Sequence, residues 1–403
     1  MRKYVIFCYS NGEGGGQNYV DSKVQYLERN GWEPIVFYPN FRSINKNPYI
    51  PWNNLKKFKG NCCFELFYRP EYLFKPLVSH TLKWMSDIIA PDGDDVIIES
   101  PTDHFAEWGE LLAERLHARH LCFLLDEQLE KSVAKEFLYY KYLKKEVAGI
   151  HKTSMKRLFQ GYKDVPVSDD YVLRAANNGS VADVENEQIS KIQRGDYNIG
   201  YVGRDKQYCE NIVNGVRRFA LNNLDKKINF IVLGKINSVS NLNHIENINV
   251  VELGFMHPIP KSFFSCVDTI IAGAGCASIS AREGVPTIVA DAAECMSSGI
   301  LGYTVDTTLF SNGNFHTFDE ELNNVLIKKI HEKIGKKGEY FFVPRDTYDI
   351  SKKDYEKHIE YIYDSHNYDE YFDFKKNPQS SHLVIKRLIY PLIILRDFFN
   401  YNK

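Results

Sequence analysis

Thr269-Ile270-Ile271-Ala272-Gly273-Ala274-Gly275-Cys276-Ala277-Ser278, running on to Gly284-Val285-Pro286-Thr287-Ile288-Val289-Ala290-Asp291, reads as strand, glycine loop, short helix, strand. The apolar run Thr269 to Ala272 ends in two glycines and small residues. A helix is predicted from near Ala277 to a stop at Gly284, and a second apolar run, Thr287 to Ala290, follows at once. Small residues at such a junction let backbone N–H groups approach a ligand, and a helix N-terminus favours an anion there. Taken alone, the glycines describe a tight βα turn in any α/β domain.

The surrounding chain has 403 residues, which is long for one core and predicts two domains. Its composition is globular, 44% apolar and 25% charged, and a net charge of −2 gives no electrostatic case for nucleic acid as a partner. Eight cysteines are scattered without a Cys-x-x-Cys pair, which predicts reduced, mostly buried thiols and a cytoplasmic protein. The opening Tyr4-Val5-Ile6-Phe7 is too short an apolar run for a signal peptide, and no stretch is long and uncharged enough to span a bilayer.

Tyr4 to Tyr9 is predicted as the first strand, followed by Ser10 to Gln17 with Gly12, Gly14, Gly15 and Gly16. Val20, Val24 and Leu27 then recur at helical spacing up to Asn30-Gly31, and Pro34 to Tyr38 is the next strand. A β-loop-α-β opening predicts a parallel, doubly wound sheet. The loop lacks the third glycine of a dinucleotide fingerprint, and Tyr38-Pro39-Asn40 offers no acid for a ribose, which argues against a dehydrogenase. Phe41 to Glu71 is predicted as loops and short strands over the sheet. A helix over Leu77 to Ile89 leads to Asp92-Gly93-Asp94, read as a turn rather than a metal motif, and to the strand Val96 to Ile98. Glu99-Ser100-Pro101-Thr102-Asp103-His104 then stands at the C-terminal end of that strand, where α/β sites form, so its acids and histidine are candidates for acid–base work. The same Asp-His could be a helix cap or a surface pair. Leu121 to Leu125 is a strand ending in Asp126-Glu127, and Lys131 to Glu146 is a long helical stretch. Ile150 to Ser154 is a short strand feeding a helix over Met155 to Gln160, and Asp183 to Asp196 reads as a polar linker.

A second α/β unit opens at Asn198-Ile199-Gly200-Tyr201-Val202-Gly203-Arg204-Asp205-Lys206. Arg204 and Lys206 at a strand's C-terminal edge could clamp a diphosphate, and the Gly273 to Gly275 loop is expected on the same edge of the same sheet. Two successive βα domains predict a cleft between facing sheet edges, the usual place for a small substrate.

The order of these features resembles the GT-B glycosyltransferases, especially family 4, over residues 3 to 320. The residues that carry it are the glycine loop Asn11 to Gly16, Asp103-His104, Asp126-Glu127, His151 to Ser154 and Asn177-Asn178-Gly179 in the first half. In the second half they are Gly203-Arg204 with Lys206, Val267-Asp268, and Gly284-Val285-Pro286. The chain departs from the family at its paired glutamates, E-x7-E, of which the second normally holds the donor ribose. Ile279 stands in that place, with Ser278, Ser280 and Glu283 as neighbours.

The resemblance implies an α/β protein of two Rossmann-like doubly wound domains facing a cleft. The expected boundaries are 1–185 for the acceptor side, 186–335 for the donor domain, 336–375 for a helical segment crossing back onto the first domain, and 376–403 for an amphipathic tail. It implies a metal-independent, retaining transfer of a sugar from a UDP- or GDP-sugar to a glycan or polyprenyl-lipid-linked acceptor of a bacterial surface polysaccharide, with no cofactor. Asp103 and His104 would be catalytic. Gly15, Gly16, Gly203, Arg204, Lys206, Gly273, Gly275, Ser278 and Glu283 would bind the donor, with basic groups and helix dipoles stabilising the leaving diphosphate. A catalytically inactive GT-B subunit and a GT-B sugar epimerase are the alternatives. The tail His382 to Phe399, bulky and apolar with Lys386, Arg387 and Arg396, suits either an anchor on the inner face of the membrane or a packed terminal helix.

Overall fold

The computed structural model describes residues 2–9, 15–39, 60–90, 95–125, 135–175, 181–308, 314–334, 347–365 and 370–376. The described residues up to 175, with those from 348 onward, form one compact unit, and those from 181 to 347 form another.

The first unit begins β1 (Arg2–Phe7), α1 (Gly15–Arg29), β2 (Trp32–Tyr38), β3 (Asn61–Cys62), α2 (Lys75–Ile89) and β4 (Val96–Ser100). It continues α3 (Asp103–Leu116), β5 (Arg119–Leu124), α4 (Lys135–Leu143), β6 (Val147–Gly149) and α5 (Lys152–Phe159). The six strands form one parallel sheet in the order β3-β2-β1-β4-β5-β6. The central strands are apolar along nearly their whole length because helices cover both faces, as parallel sheets require. Val20, Val24 and Leu27 of α1 are buried as their spacing predicts, and the helix ends at Gly31, which takes the left-handed φ of 75°.

Unit two runs β7 (Val181–Ala182), α6 (Glu187–Ser190), β8 (Tyr197–Gly203), α7 (Cys209–Leu221), β9 (Ile228–Gly234), β10 (Ile248–Gly254), β11 (Ile259–Pro260) and α8 (Lys261–Ser265). It continues β12 (Thr269–Ala272), α9 (Ala274–Arg282), β13 (Thr287–Ala290), β14 (Ser297–Ile300), α10 (Phe318–Leu322) and α11 (Ile330–Lys333). Its main sheet is ordered β10-β9-β8-β12-β13-β14, parallel except for β14. At the N-terminal end of this sheet Asn249 Nδ2 donates to Asn229 Oδ1 (2.9 Å) and Asn229 Nδ2 to Asn198 Oδ1 (2.7 Å). Asp268 Oδ2 accepts from Asn198 N at 2.7 Å. The aspartate that the resemblance placed before the donor strand thus ties strand starts together.

The last described helix, α12 (Thr347–Tyr363), belongs to the first unit. Tyr355, Tyr361 and Ile362 are buried with Tyr4, Val24 and Leu27, and Tyr361 Oη donates to Val147 O at 2.7 Å. His358 reaches a wholly buried polar cluster. There Glu99 accepts from Tyr4 Oη (2.6 Å), Tyr19 Oη (2.7 Å) and Lys23 Nζ. His358 Nε2 lies 2.9 Å from Arg174 O, so that nitrogen carries the proton and Nδ1 accepts from Lys23 Nζ at 3.1 Å.

Several elements depart from the sequence reading. The helix predicted over Lys131 to Glu146 is described only as α4, ending at Leu143, and β6 starts at Val147 rather than Ile150. The linker Asp183 to Asp196 contains α6, capped by Asn186 Oδ1. Helix α9 begins at Ala274, three residues before Ala277, because Ala274 adopts φ 51° and turns the chain directly out of β12. Asp92-Gly93-Asp94, Asp126-Glu127, Asn177-Asn178-Gly179 and the tail from residue 377 lie outside the described residues. Among the described residues no helix is long and apolar enough to cross a membrane.

Candidate functional site

Each sheet reverses its strand order at one place, between β1 and β4 in the first unit and between β8 and β12 in the second. The connections leave such a pair in opposite directions, so a crevice opens at their C-terminal ends, where ligands of open α/β sheets bind. Most of the sequence-predicted site residues fall at these two places.

In the second unit, β8 ends at Gly203, paired in register with Gly234 of β9. Gly234 has φ 126°, and a Cβ there would run into Gly203 O, so this glycine is demanded by the close approach of two strand ends. Gly273, just past β12, caps α9, and a Cβ on it would stand 3.0 Å from both Tyr208 Oη and Ala290 O. Those glycines have packing reasons. Gly275 has none, since a Cβ there would meet nothing within 4 Å, and it is exposed in the first turn of α9. Arg204 follows Gly203. Its carbonyl accepts from Tyr201 Oη at 2.7 Å, while its side chain is exposed and makes no ion pair among the described residues. An exposed guanidinium beside a helix N-terminus is a suitable partner for a diphosphate. Lys206 is half-buried in the same loop, and its backbone N–H meets Cys209 Sγ at 3.3 Å.

The remaining donor-side candidates stand apart from that edge. Ser278 lies in the second turn of α9. Ile279, in the position of the family's glutamate, packs against the unit's apolar core. Glu283 is the C-cap of α9, at the opposite end of the helix from Gly275. At 1.5 Å per residue that separation is roughly 12 Å.

In the first unit, Gly15 and Gly16 open α1 and are exposed, and a Cβ on either would meet nothing within 4 Å. Asp103 and His104 form the first turn of α3, behind the N-cap Thr102. Both are gripped by the segment before α2. Arg69 Nη2 pairs with Asp103 Oδ2 at 2.6 Å, and Nη1 pairs with Glu107, one turn along. His104 Nε2 lies 2.6 Å from Leu66 O, and Trp108 Nε1 donates to Tyr68 O at 2.8 Å. Because a carbonyl can only accept, His104 Nε2 carries a proton, and in the neutral ring Nδ1 is the basic nitrogen. Burial pushes His104 below its ordinary 6.5, and the Arg69 charge acts in the same direction. Burial also pushes Glu107 up to about 8, since Arg69 must serve two carboxylates while Glu71 adds further negative charge.

One sequence expectation changes here. Glu99, read among the candidates at the strand end, is wholly buried within β4, as is Ser100 beside it. Ser100 Oγ stands 3.0 Å from His120 Nε2, and His120 Nδ1 stands 2.8 Å from Glu110 Oε2. This has the pairing of a nucleophile, base and orienting acid, but all three are buried, and Lys141 joins the same carboxylate at 2.7 Å. The arrangement is a core network rather than a reactive serine. The functional neighbour that the sequence reading missed is Arg69, which precedes Asp103 by 34 residues and carries no local signal.

No protein-family model matches the chain, and no curated protein sequence matches it. Solved structures do. A glycosyltransferase from Rickettsia africae aligns over 96% of this chain and 98% of its own, at 14% identity and a TM-score of 0.54. MnaA of S. aureus, in a co-structure with UDP, aligns over 90% and 98%, at 14% identity and 0.51. A UDP-GlcNAc 2-epimerase from Neisseria meningitidis bound to UDP-GlcNAc aligns over 88% and 99%, at 12% identity and 0.50. The likeness is one of fold. The chain has the architecture of GT-B proteins, with two doubly wound α/β units, as the sequence resemblance implied.

Proposed function

We propose that the chain is a glycosyltransferase that moves a sugar from a nucleotide-sugar donor to a glycan or lipid-linked saccharide acceptor of a bacterial surface polysaccharide. The observation that carries this reading is the switch point between β8 and β12, where Arg204, unpaired among the described residues, and the open Gly275 turn of α9 share one sheet edge. Arg204 and the α9 N-terminus stabilise the diphosphate as charge develops on the leaving oxygen, which requires no metal. Gly15 and Gly16 leave room at the other switch point for substrate to approach backbone, and His104 supplies a neutral proton acceptor there. Family 4 is the closest pattern by motif order, with retention of the anomeric configuration as its consequence. The place of its ribose-binding glutamate is taken by Ile279, so the nucleoside is held by other groups.

An epimerase reading uses the same diphosphate site, and an inactive subunit would use neither edge. A panel of UDP- and GDP-sugars separates the three. Glycosyltransfer to an added acceptor supports the proposal. Interconversion of the donor sugar without transfer selects the epimerase. Failure of every donor to bind in calorimetry selects the inactive subunit.

A further inference from the structure

The segment Phe64 to Tyr72, which closes the stretch Phe41 to Glu71 read from sequence as loops and short strands, holds the first two turns of α3 through four contacts. Leu66 O takes His104, Tyr68 O takes Trp108, and the Arg69 fork takes Asp103 and Glu107. Asp103, the more obvious base by residue type, is committed to Arg69. His104 is committed only through Nε2, and Nδ1 has no hydrogen-bond partner among the described residues. Among the described residues, the charged groups acting on its ring are Arg69 from the preceding segment and Asp103 from its own helix. We propose that Arg69 is a positioning residue. Its fork locks Asp103 and Glu107 so that the first turn of α3 presents His104 with Nδ1 deprotonated at the β1/β4 switch point. The inference rests on the transferase reading only for the use made of that base. Asp103 becomes an orienting and charge-balancing group, and His104 alone is the proton acceptor.

The geometry fixes the signs. Losing Arg69 removes a cation beside the ring and leaves the Asp103 carboxylate uncompensated, so the His104 titration moves upward. Losing the Asp103 charge moves it downward. Diethyl pyrocarbonate reacts only with unprotonated imidazole, so peptide-resolved carbethoxylation of the full chain against pH reads His104 among the 12 histidines without any substrate. Expected are a higher midpoint and a several-fold slower reaction at mildly acidic pH in Arg69→Gln, recovery in Arg69→Lys, and a lower midpoint in Asp103→Asn. A higher midpoint in Arg69→Lys as well would report loosened packing and overturn the inference. So would an unmoved midpoint in both Arg69→Gln and Asp103→Asn. If Arg69→Gln fails to fold, Asp103→Asn decides alone. Once a donor is known, kcat in Arg69→Gln falls at mildly acidic pH with little change in donor KM, and Arg69→Lys restores it. Shifted midpoints in a protein that turns over no donor would sink the transferase reading and leave this inference standing.

Discussion

Replacing Lys23 by methionine isolates one charge in the core of the first unit. Lys23 and Glu99 are both 0% exposed, and the ammonium supplies the only formal positive charge among the groups hydrogen-bonded to that carboxylate among the described residues. Methionine nearly preserves volume, so the loss is electrostatic rather than a cavity. Removing one partner of a buried pair strands the other charge, at a cost of about 3–5 kcal/mol. At about 2–4 °C per kcal/mol for a unit of this size, the first unit melts roughly 6–20 °C lower. The pH dependence has a definite sign. In the native chain burial acts to raise Glu99, but Lys23 and His358 together hold it well below its ordinary 4.5. The stability tied to that carboxylate is therefore fully present above the unfolded value and lost as pH falls below it. Without Lys23, burial prevails and the carboxyl titrates above its unfolded value, so the variant loses stability as pH rises instead. The gap between the two proteins widens from about pH 4 to about pH 7. Thermal melts followed by circular dichroism at several pH values measure it, and Lys23→Met with Glu99→Gln recovers most of the loss. A single variant within about 1 kcal/mol of the native chain at neutral pH would refute the argument.

Three further outcomes follow from the geometry. Gly234→Ala places a methyl group against Gly203 O in a left-handed backbone, and chemical denaturation registers a loss of at least about 1–3 kcal/mol. Glu107→Gln keeps an acceptor for Arg69 and removes a carboxyl whose folded value is raised to about 8. Such a group withdraws stability as pH rises from its unfolded value through 8, so the glutamine variant gains on the native chain in melts near pH 9, and an unchanged difference across that range would contradict the assignment. Gly109→Ala directs a methyl group into Ser100 Oγ and His120 Nε2, and its melting point falls while native Ser100 remains unreactive to serine-directed fluorophosphonates.

Much of this architecture is legible in the chain because a parallel, doubly wound sheet writes itself as apolar runs ending in glycine. Tyr197 to Gly203, Ile228 to Gly234 and Thr269 to Gly273 all do so. Helix starts were less legible. Thr102 caps α3, and Ala274 adopts a left-handed conformation that an alanine does not advertise. The edge of β8 and β12 could be read because its residues lie next to strand ends. The edge of β1 and β4 could be read only in part, since what defines His104 is Leu66 O and the Arg69 fork, both more than 30 residues away in sequence. Glu99 illustrates the converse. Its position suggested a site, but Tyr4, Tyr19, Lys23 and His358, drawn from three elements, enclose it.

The central claim is that the β8/β12 edge binds the diphosphate of an activated sugar. Titration calorimetry of the native chain and of Arg204→Ala with a panel of UDP- and GDP-sugars tests it. Arg204 is exposed, so its removal leaves the unfolding free energy within about 0.5 kcal/mol of native. The lost charge-assisted bonds are worth about 1.5–3 kcal/mol, so the account predicts that a donor bound by the native chain binds roughly 10- to 150-fold more weakly to the variant. Equal affinity in the two proteins would contradict it.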